Sequence, residues 1–460
     1  MIRIILVISI SLFYSQSFAG SEAQISGYAP GAAGEYIEVY SQADPVSGFS
    51  SLIERVKVED NEHFNIRVDC NELCWLRLRY GIYDLMVFVE KDASYETELP
   101  VFRELKVGEK LNPFFKYRLY HLKLDGNNIN NNIRFIDSLY YDYTARITRG
   151  IYLGEQLSSR DSLVTSFEGQ RDERWTGYSL KYFDCRHCLL EMVSEKRNTP
   201  SRDDIRLINM DFMPGMPAYT DLISQAFNGY LRRLSGSRDG AAIRDCINSA
   251  GPYSDIVDVI VPDGLLSNES LIEYVLLENL YNEYYKNYFR KESIAEIIEQ
   301  MAGNASDDYN RKLAARITEK IYRLKPGNKP PGFSLENKDG EIYTLDSLSG
   351  KYSILVFGSA TLPDTRAELD ILNRWAGDYD EQLSVVVILL DEDFESSLEK
   401  IGAGKYDFIF LDGHGVAGLE DIYELKYLPA FYFLDRDMRL IESPAPFPSE
   451  NLRRLVVPKL

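Results

Sequence analysis

Two of the five cysteines bracket an arginine and a histidine in the run Cys185-Arg186-His187-Cys188. A C-x-x-C pair exchanges disulfides when one thiol ionises, and a neighbouring cation favours that ionisation. The chemistry also wants an exposed turn at a helix start, where the helix dipole steadies the thiolate. Tyr178 to Ser194 has helical spacing throughout, so Cys185 and Cys188 fall inside a helix. Two readings stay open: a redox or disulfide pair, and a buried structural pair. With His187 the same residues offer three zinc-ligand types, but no second cluster at ligand spacing follows, and neither a metal nor another cofactor is expected. Cys70 and Cys74 flank Asn71-Glu72-Leu73, a spacing that fits a disulfide closing a turn between strands and fits two reduced thiols equally. His63, His121 and His414 have no triad-like neighbours, and there is no Gly-rich phosphate loop or nucleophile elbow. The aromatic cluster Tyr281, Tyr284, Tyr285, Tyr288 and Phe289 reads as helix packing, and the acidic stretches Asp378–Glu381 and Asp391–Glu395 as solvated surface.

These residues must be positioned by a chain of 460 residues with 45% hydrophobic content and a formal charge of −20. That length exceeds what one core normally organises, so two or three domains are expected. The acidic balance repels phosphate backbones and anionic lipid, which argues against nucleic-acid and membrane-surface partners. Arg3, the apolar run Ile4–Tyr14 and the small residues of Ser17-Phe18-Ala19 form a secretory signal over residues 1–19, with cleavage after Ala19. The run is too short for a permanent membrane span, no later segment supplies one, and Gly20 stands where a lipoprotein needs cysteine. The mature chain is expected outside the cytoplasm, in the periplasm.

From residue 20 to about 115 the sequence alternates with a period of two. Phe64, Ile66 and Val68 face one way, Leu76, Leu78 and Tyr80 repeat the pattern, and polar turns separate the runs. This predicts a small β-sandwich. Between 116 and 325 the period lengthens to that of a helix. Ile272, Leu276, Leu280 and Tyr284 form one stripe, Ser267 or Asn268 caps it, and Ile133–Tyr143 and Tyr219–Leu234 form others. The run Leu324-Lys325-Pro326-Gly327-Asn328-Lys329-Pro330-Pro331-Gly332 ends that all-helical domain. Residues 326–460 alternate strand and helix: strands at Tyr352–Phe357, Leu383–Leu390, Phe408–Leu411, Ala430–Leu434 and Met438–Ile441, with helices at Arg366–Trp375, Glu392–Ile401 and Ser449–Val456. The fold class is multidomain α+β, closing in a layered α/β domain.

The stretch GNKPPGFSLENKDGEIYTLDSLSGKYSILVF resembles the opening of the thioredoxin-like thiol–disulfide oxidoreductases of the TlpA/ResA type, and Tyr427-Leu428-Pro429-Ala430-Phe431-Tyr432-Phe433-Leu434-Asp435 resembles their cis-proline loop and following strand. The resemblance covers about 325–458. The upstream regions resemble envelope proteins of Gram-negative bacteria, in which a β-domain and a helical insertion precede such a domain. The resemblance implies a Trp-Cys-x-x-Cys at the start of the helix after Tyr352–Phe357. Here that segment reads Phe357-Gly358-Ser359-Ala360-Thr361-Leu362-Pro363-Asp364-Thr365-Arg366, with Leu362 and Thr365 at the cysteine positions. Leucine cannot ionise, and a threonine hydroxyl without a base is a poor nucleophile. Pro363 and Asp364 still suit a helix start.

The expectation is a degenerate thioredoxin-like protein whose disulfide chemistry is lost and whose Leu362, Pro363, Asp364, Thr365, Leu428 and Pro429 bind an extended peptide or an envelope protein. The alternative is an oxidoreductase that uses Cys185 and Cys188 or a partner's thiols. Mass spectrometry of the exported protein is expected to find Gly20 at its N-terminus; an intact Met1 on periplasmic material would refute export by cleavage.

Overall fold

A computed structural model describes residues 22–42, 44–70, 73–105, 109, 115–122, 124, 128–175, 177–237, 240–260, 264–286, 288–391, 393–414 and 419–460. The signal segment lies outside the described residues.

The alternating N-terminal sequence folds as two facing sheets. Strands β1 (Glu22–Tyr28), β4 (His63–Asp69) and β7 (Ser94–Glu98) form one, in the order β4-β1-β7. The other runs β3-β2-β5-β6-β8, from β2 (Tyr36–Ser41), β3 (Leu52–Lys57), β5 (Leu73–Tyr80), β6 (Tyr83–Glu90) and β8 (Arg118–His121). Strand β4 is strictly alternating, with Phe64, Ile66 and Val68 buried and the residues between them exposed. Those side chains meet Leu76, Leu78 and Val87 of the other sheet in one core, the arrangement of a β-sandwich. Strand β8 corrects the boundary expected at residue 115. It pairs in parallel with β6, so the sheet runs on to His121. Four residues are too few to show a period, which is why the strand could not be read.

Helices follow. They are α1 (Ile129–Tyr152), α2 (Leu157–Glu168), α3 (Gly177–Glu195), α4 (Arg202–Met210), α5 (Pro217–Ala226), α6 (Tyr230–Ser235), α7 (Ala241–Asn248) and α8 (Tyr253–Ile260). Then come α9 (Glu269–Tyr284), α10 (Lys291–Asn304) and α11 (Asp308–Tyr322). The stripe expected over Tyr219–Leu234 is two helices, because Phe227–Gly229 turns the chain and Gly229 takes φ +65°. Asn268 caps α9, its side chain accepting from the Leu271 amide. Helix α9 is the axis of this region, buried on nearly every side, including Glu273, Asn279 and Glu283. Buried acids need partners. Glu273 accepts from the Ser306 amide at 2.7 Å, and Glu283 from Arg232 at 2.6 Å. Among the described residues, Glu278 has only the Ser224 hydroxyl, on one oxygen.

After α11 the chain forms a hairpin, β9 (Ser334–Glu336) with β10 (Ile342–Thr344), and a five-stranded sheet in the order β13-β12-β11-β14-β15. Its strands are β11 (Tyr352–Gly358), β12 (Leu383–Leu389), β13 (Ile409–Asp412), β14 (Ala430–Leu434) and β15 (Leu440–Ala445). Helices α12 (Pro363–Ala376), α13 (Phe394–Ile401), α14 (Leu419–Ile422) and α15 (Leu452–Val456) complete it. Strands β11, β12 and β13 are parallel; β14 runs antiparallel to β11, and β15 antiparallel to β14. In β11 Ile354 and Val356 join Leu369 and Leu372 of α12 in one core, and Leu355 and Phe357 join Phe333 and Leu345 in another. A strand buried on both faces reads as an unbroken apolar run. The β11-α12-β12 unit, the 2-1-3-4 order of β12, β11, β14 and β15, and helices on both faces are the thioredoxin-like arrangement.

Burial pushes the Glu278 carboxyl up to about 7, against the hydrogen bond from Ser224 and with help from the nearby Asp221. An unfolded glutamate releases its proton near pH ~4.3. Between these values the native state holds the extra proton, so this residue's contribution to stability falls as pH rises. Glu278→Gln is expected to remove that slope and to unfold at higher urea than wild type at pH 8, by on the order of 3 kcal/mol, with little difference at pH 4. Parallel pH profiles of the two proteins would contradict it.

Candidate functional site

The site is set by where β11 stops. Gly358 is its last residue, and the chain turns through Ser359–Leu362 before Pro363 opens α12. An added Cβ at Gly358 would lie 2.6 Å from Thr365 Cγ2, so the first turn of α12 packs against the bare backbone of the strand end. Thr365 is fully buried, and its Oγ1 accepts from the Ser359 amide at 3.3 Å. Leu362, half-buried, is the residue before the helix; Pro363 is its first residue and Asp364 sits exposed in its first turn.

The register brings the second half of the site beside the first. Phe357 pairs with Ala430 across β11 and β14, so Gly358 and Pro429 continue the two strands at one end of the sheet. The Leu428–Pro429 bond is cis, and Leu428 is half-buried. Tyr427, 47% exposed, has its ring against Phe447 at 5.8 Å. The rim at this end of the sheet therefore carries Leu362, Pro363, Asp364 and Leu428, with Thr365 and Pro429 buried within it.

Asp391, which in the sequence reads as part of a solvated acidic stretch, is a buried residue of the site. It is 6% exposed. Its carboxylate accepts from Ser359 Oγ at 2.6 Å and from the Ala360 amide at 2.7 Å. Ser359 Oγ also contacts Thr361 Oγ1 at 2.6 Å and accepts from the Thr361 amide at 3.2 Å. A buried carboxylate thus anchors the turn that presents Leu362. The signal available in the sequence was its place: the acid directly follows the apolar run of β12, where a parallel strand leaves the sheet. Asp393, two residues on, caps α13 by accepting from the Ser396 amide.

The cysteines lie apart from this rim. Cys185 and Cys188 are the ninth and twelfth residues of the 19-residue α3, not its start. Cys185 has no exposure, and burial, reinforced by Asp184, pushes its thiol up to about 12. Burial and then Asp204 hold the Cys188 thiol higher than usual as well. Neither is a thiolate near neutral pH. Arg186 does not activate them. It is 3% exposed, donates to Asp137 at 2.9 Å and to Asp221 at 2.6 Å, and its Nη2 donates to Tyr182 Oη. The Cys188 sulfur gathers with Glu191 and Asp204; Asp204 Oδ2 accepts from Arg197 and from the Ser201 amide, while its Oδ1 is buried without a hydrogen-bond partner among the described residues. No disulfide joins Cys185 to Cys188 or Cys70 to Cys74. Cys70 directly follows β4 of one sheet and donates its thiol to Val89 O at 3.3 Å, while Cys74 lies on β5 in the other.

These elements define a thioredoxin-like fold, with Leu362 and Thr365 at the start of the helix that follows its first strand. Solved structures with likeness to the chain include a thioredoxin-like protein from Bacteroides caccae, with 14% identity over 52% of this chain and 91% of that one, TM-score 0.30. Others are the thioredoxin domain of a thiol-disulfide oxidoreductase from Bacteroides vulgatus (18% identity, 30% of this chain and 98% of that one, TM-score 0.26) and a thiol:disulfide interchange protein from a Bacteroides species (16%, 29% and 92%, TM-score 0.27). No family model matches the chain, and no curated protein matches it.

Gly358→Ala is expected to lower stability by about 1–3 kcal/mol in urea unfolding, because the new methyl meets a buried branched side chain. Thr365→Ser removes the opposing Cγ2 and is expected to restore part of the loss when combined with Gly358→Ala. Strict additivity of the two changes would show that the contact does not govern the turn.

Proposed function

We propose that this chain is a non-catalytic thioredoxin-like protein of the cell envelope that binds an extended peptide segment of a partner across the rim formed by Leu362–Thr365 and Leu428–Pro429. The observation that carries this reading is Thr365: it is buried and hydrogen-bonded to Ser359 as part of the packing, and Leu362 beside it has no ionisable group. Disulfide exchange needs one thiolate to attack and a second thiol to resolve the mixed disulfide. Neither position supplies one. What remains is a half-buried apolar residue at the head of a helix, an acid in its first turn, and an apolar loop alongside. That set suits main-chain and apolar contacts with an extended segment. The signal segment supports an exported location, and the fold description supports division into a β-sandwich, a helical region and a thioredoxin-like unit. The reading in which Cys185 and Cys188 carry out the chemistry is opposed by their burial in mid-helix.

Full-length protein is expected to leave the rate of insulin reduction by dithiothreitol unchanged. The double change Leu362→Cys and Thr365→Cys is expected to gain a weak, measurable rate, held down because Thr361 stands where the related enzymes have tryptophan. On an immobilised peptide library, Leu362→Arg and Leu428→Arg are each expected to abolish capture. Wild-type reductase activity would sink the non-catalytic reading, and capture that survives both arginine variants would sink the rim as the binding surface.

A further inference from the structure

A cleft of about 360 Å³ opens between helices α9–α11 and the segment 423–432, within the size range of roughly 300–1,000 Å³ that small organic ligands fill. It adjoins the rim described above, since Tyr427 and Ala430 flank Leu428–Pro429, but its walls lie on the helical-region side. Ala430 and Tyr432, which line it, belong to the core with Phe333 and Leu345, whereas Phe431 and Phe433 point to the opposite face, where α12 packs. Its walls combine two residue types. Tyr284, Tyr285, Tyr423, Tyr427 and Tyr432 supply aromatic surface. Lys291, Lys320, Lys325 and Lys426 supply cations against only Glu292 and Glu424, in a chain whose formal charge is −20.

The aromatic cluster read from sequence as helix packing is thus partly a wall: Tyr285 is 57% exposed. Lys291 stands 5.8 Å from the Tyr284 ring centre, and Lys320 the same distance from that of Tyr281 while donating to the Ser47 carbonyl. These contacts hold two ammonium groups over aromatic surface. A further sign points to a ligand. Ser443 lines the cleft, and its Oγ is buried without a hydrogen-bond partner among the described residues, a position that favours an incoming acceptor.

We propose that this cleft binds a small amphiphilic organic anion, its apolar or aromatic body against the tyrosines and its carboxylate or sulfonate among the lysines and Ser443. A local excess of cations in an acidic protein selects the anion, and the aromatic walls select the apolar body. The proposal does not rest on peptide binding at the adjoining rim.

The test uses the full chain and anilinonaphthalene sulfonate as a fluorescent probe, with phenylacetate and neutral phenylethanol as competitors. One saturable site is expected, displaced by phenylacetate and at least about tenfold less well by phenylethanol. The double variant Lys291→Glu and Lys426→Glu changes two exposed residues outside the cores. It is expected to weaken probe and phenylacetate about tenfold with an unchanged unfolding midpoint. Ser443→Ala is expected to weaken both several-fold. Equal competition by the two phenyl compounds, wild-type affinity in both variants, or many unsaturable probe sites would overturn the proposal. So would displacement of the probe by an acidic peptide where phenylacetate fails, since the occupant would then be a polypeptide.

Discussion

Strand β11 is buried along both faces, from Ser353 to Gly358, and each neighbouring element meets a demand that this burial creates. Its main-chain groups need partners on both sides, which β12 supplies in parallel and β14 in antiparallel register. Its alternating side chains need two separate apolar layers, one led by α12 and the other by the β9-β10 hairpin and the region of Tyr423. Where the strand ends, the chain must leave a crowded sheet without stranding polar groups. The Asp391 carboxylate meets that need by receiving Ser359 and Ala360. The position of Leu362 is a consequence of these constraints.

The turn after β11 is closely packed without a thiol. Thr365 fills the space between the strand end and the helix with its methyl group, and its hydroxyl takes the Ser359 amide. A reactive cysteine has to stay accessible and ready to ionise. The side chain present here is committed to packing, as expected of a position that shapes a surface.

The C-terminal elements were legible because parallel strands covered on both faces are written as apolar runs. Tyr352–Phe357 and Leu383–Leu390 differ from the observed β11 and β12 by one residue at one end. Three features were not legible, each for a physical reason. Strand β8 owes its existence to pairing with β6, a contact remote in sequence. Asp391 looks like any surface acid until the turn it serves is brought against it. Tyr284 and Tyr285 follow a helical stripe, and the period cannot tell a face that meets another helix from one that lines a space. Arg186 shows the reverse error: adjacency to Cys185 suggested activation of a thiol, but its guanidinium spans three helices through Asp137, Tyr182 and Asp221.

The proline-rich segment after α11 has the composition of a linker but is stitched to the far edge of the sheet. The Gly327 amide donates to Leu440 O at 2.7 Å, the Leu440 amide to Asn328 O at 2.8 Å, and Arg439 to Gly327 O at 3.1 Å. This seam sets the natural unit of exchange. A gene fragment encoding the thioredoxin-like fold could be inherited or shuffled intact only if it begins upstream of the prolines, near Lys325. A cut placed at the hairpin β9-β10 would separate β15 from the residues that complete its edge.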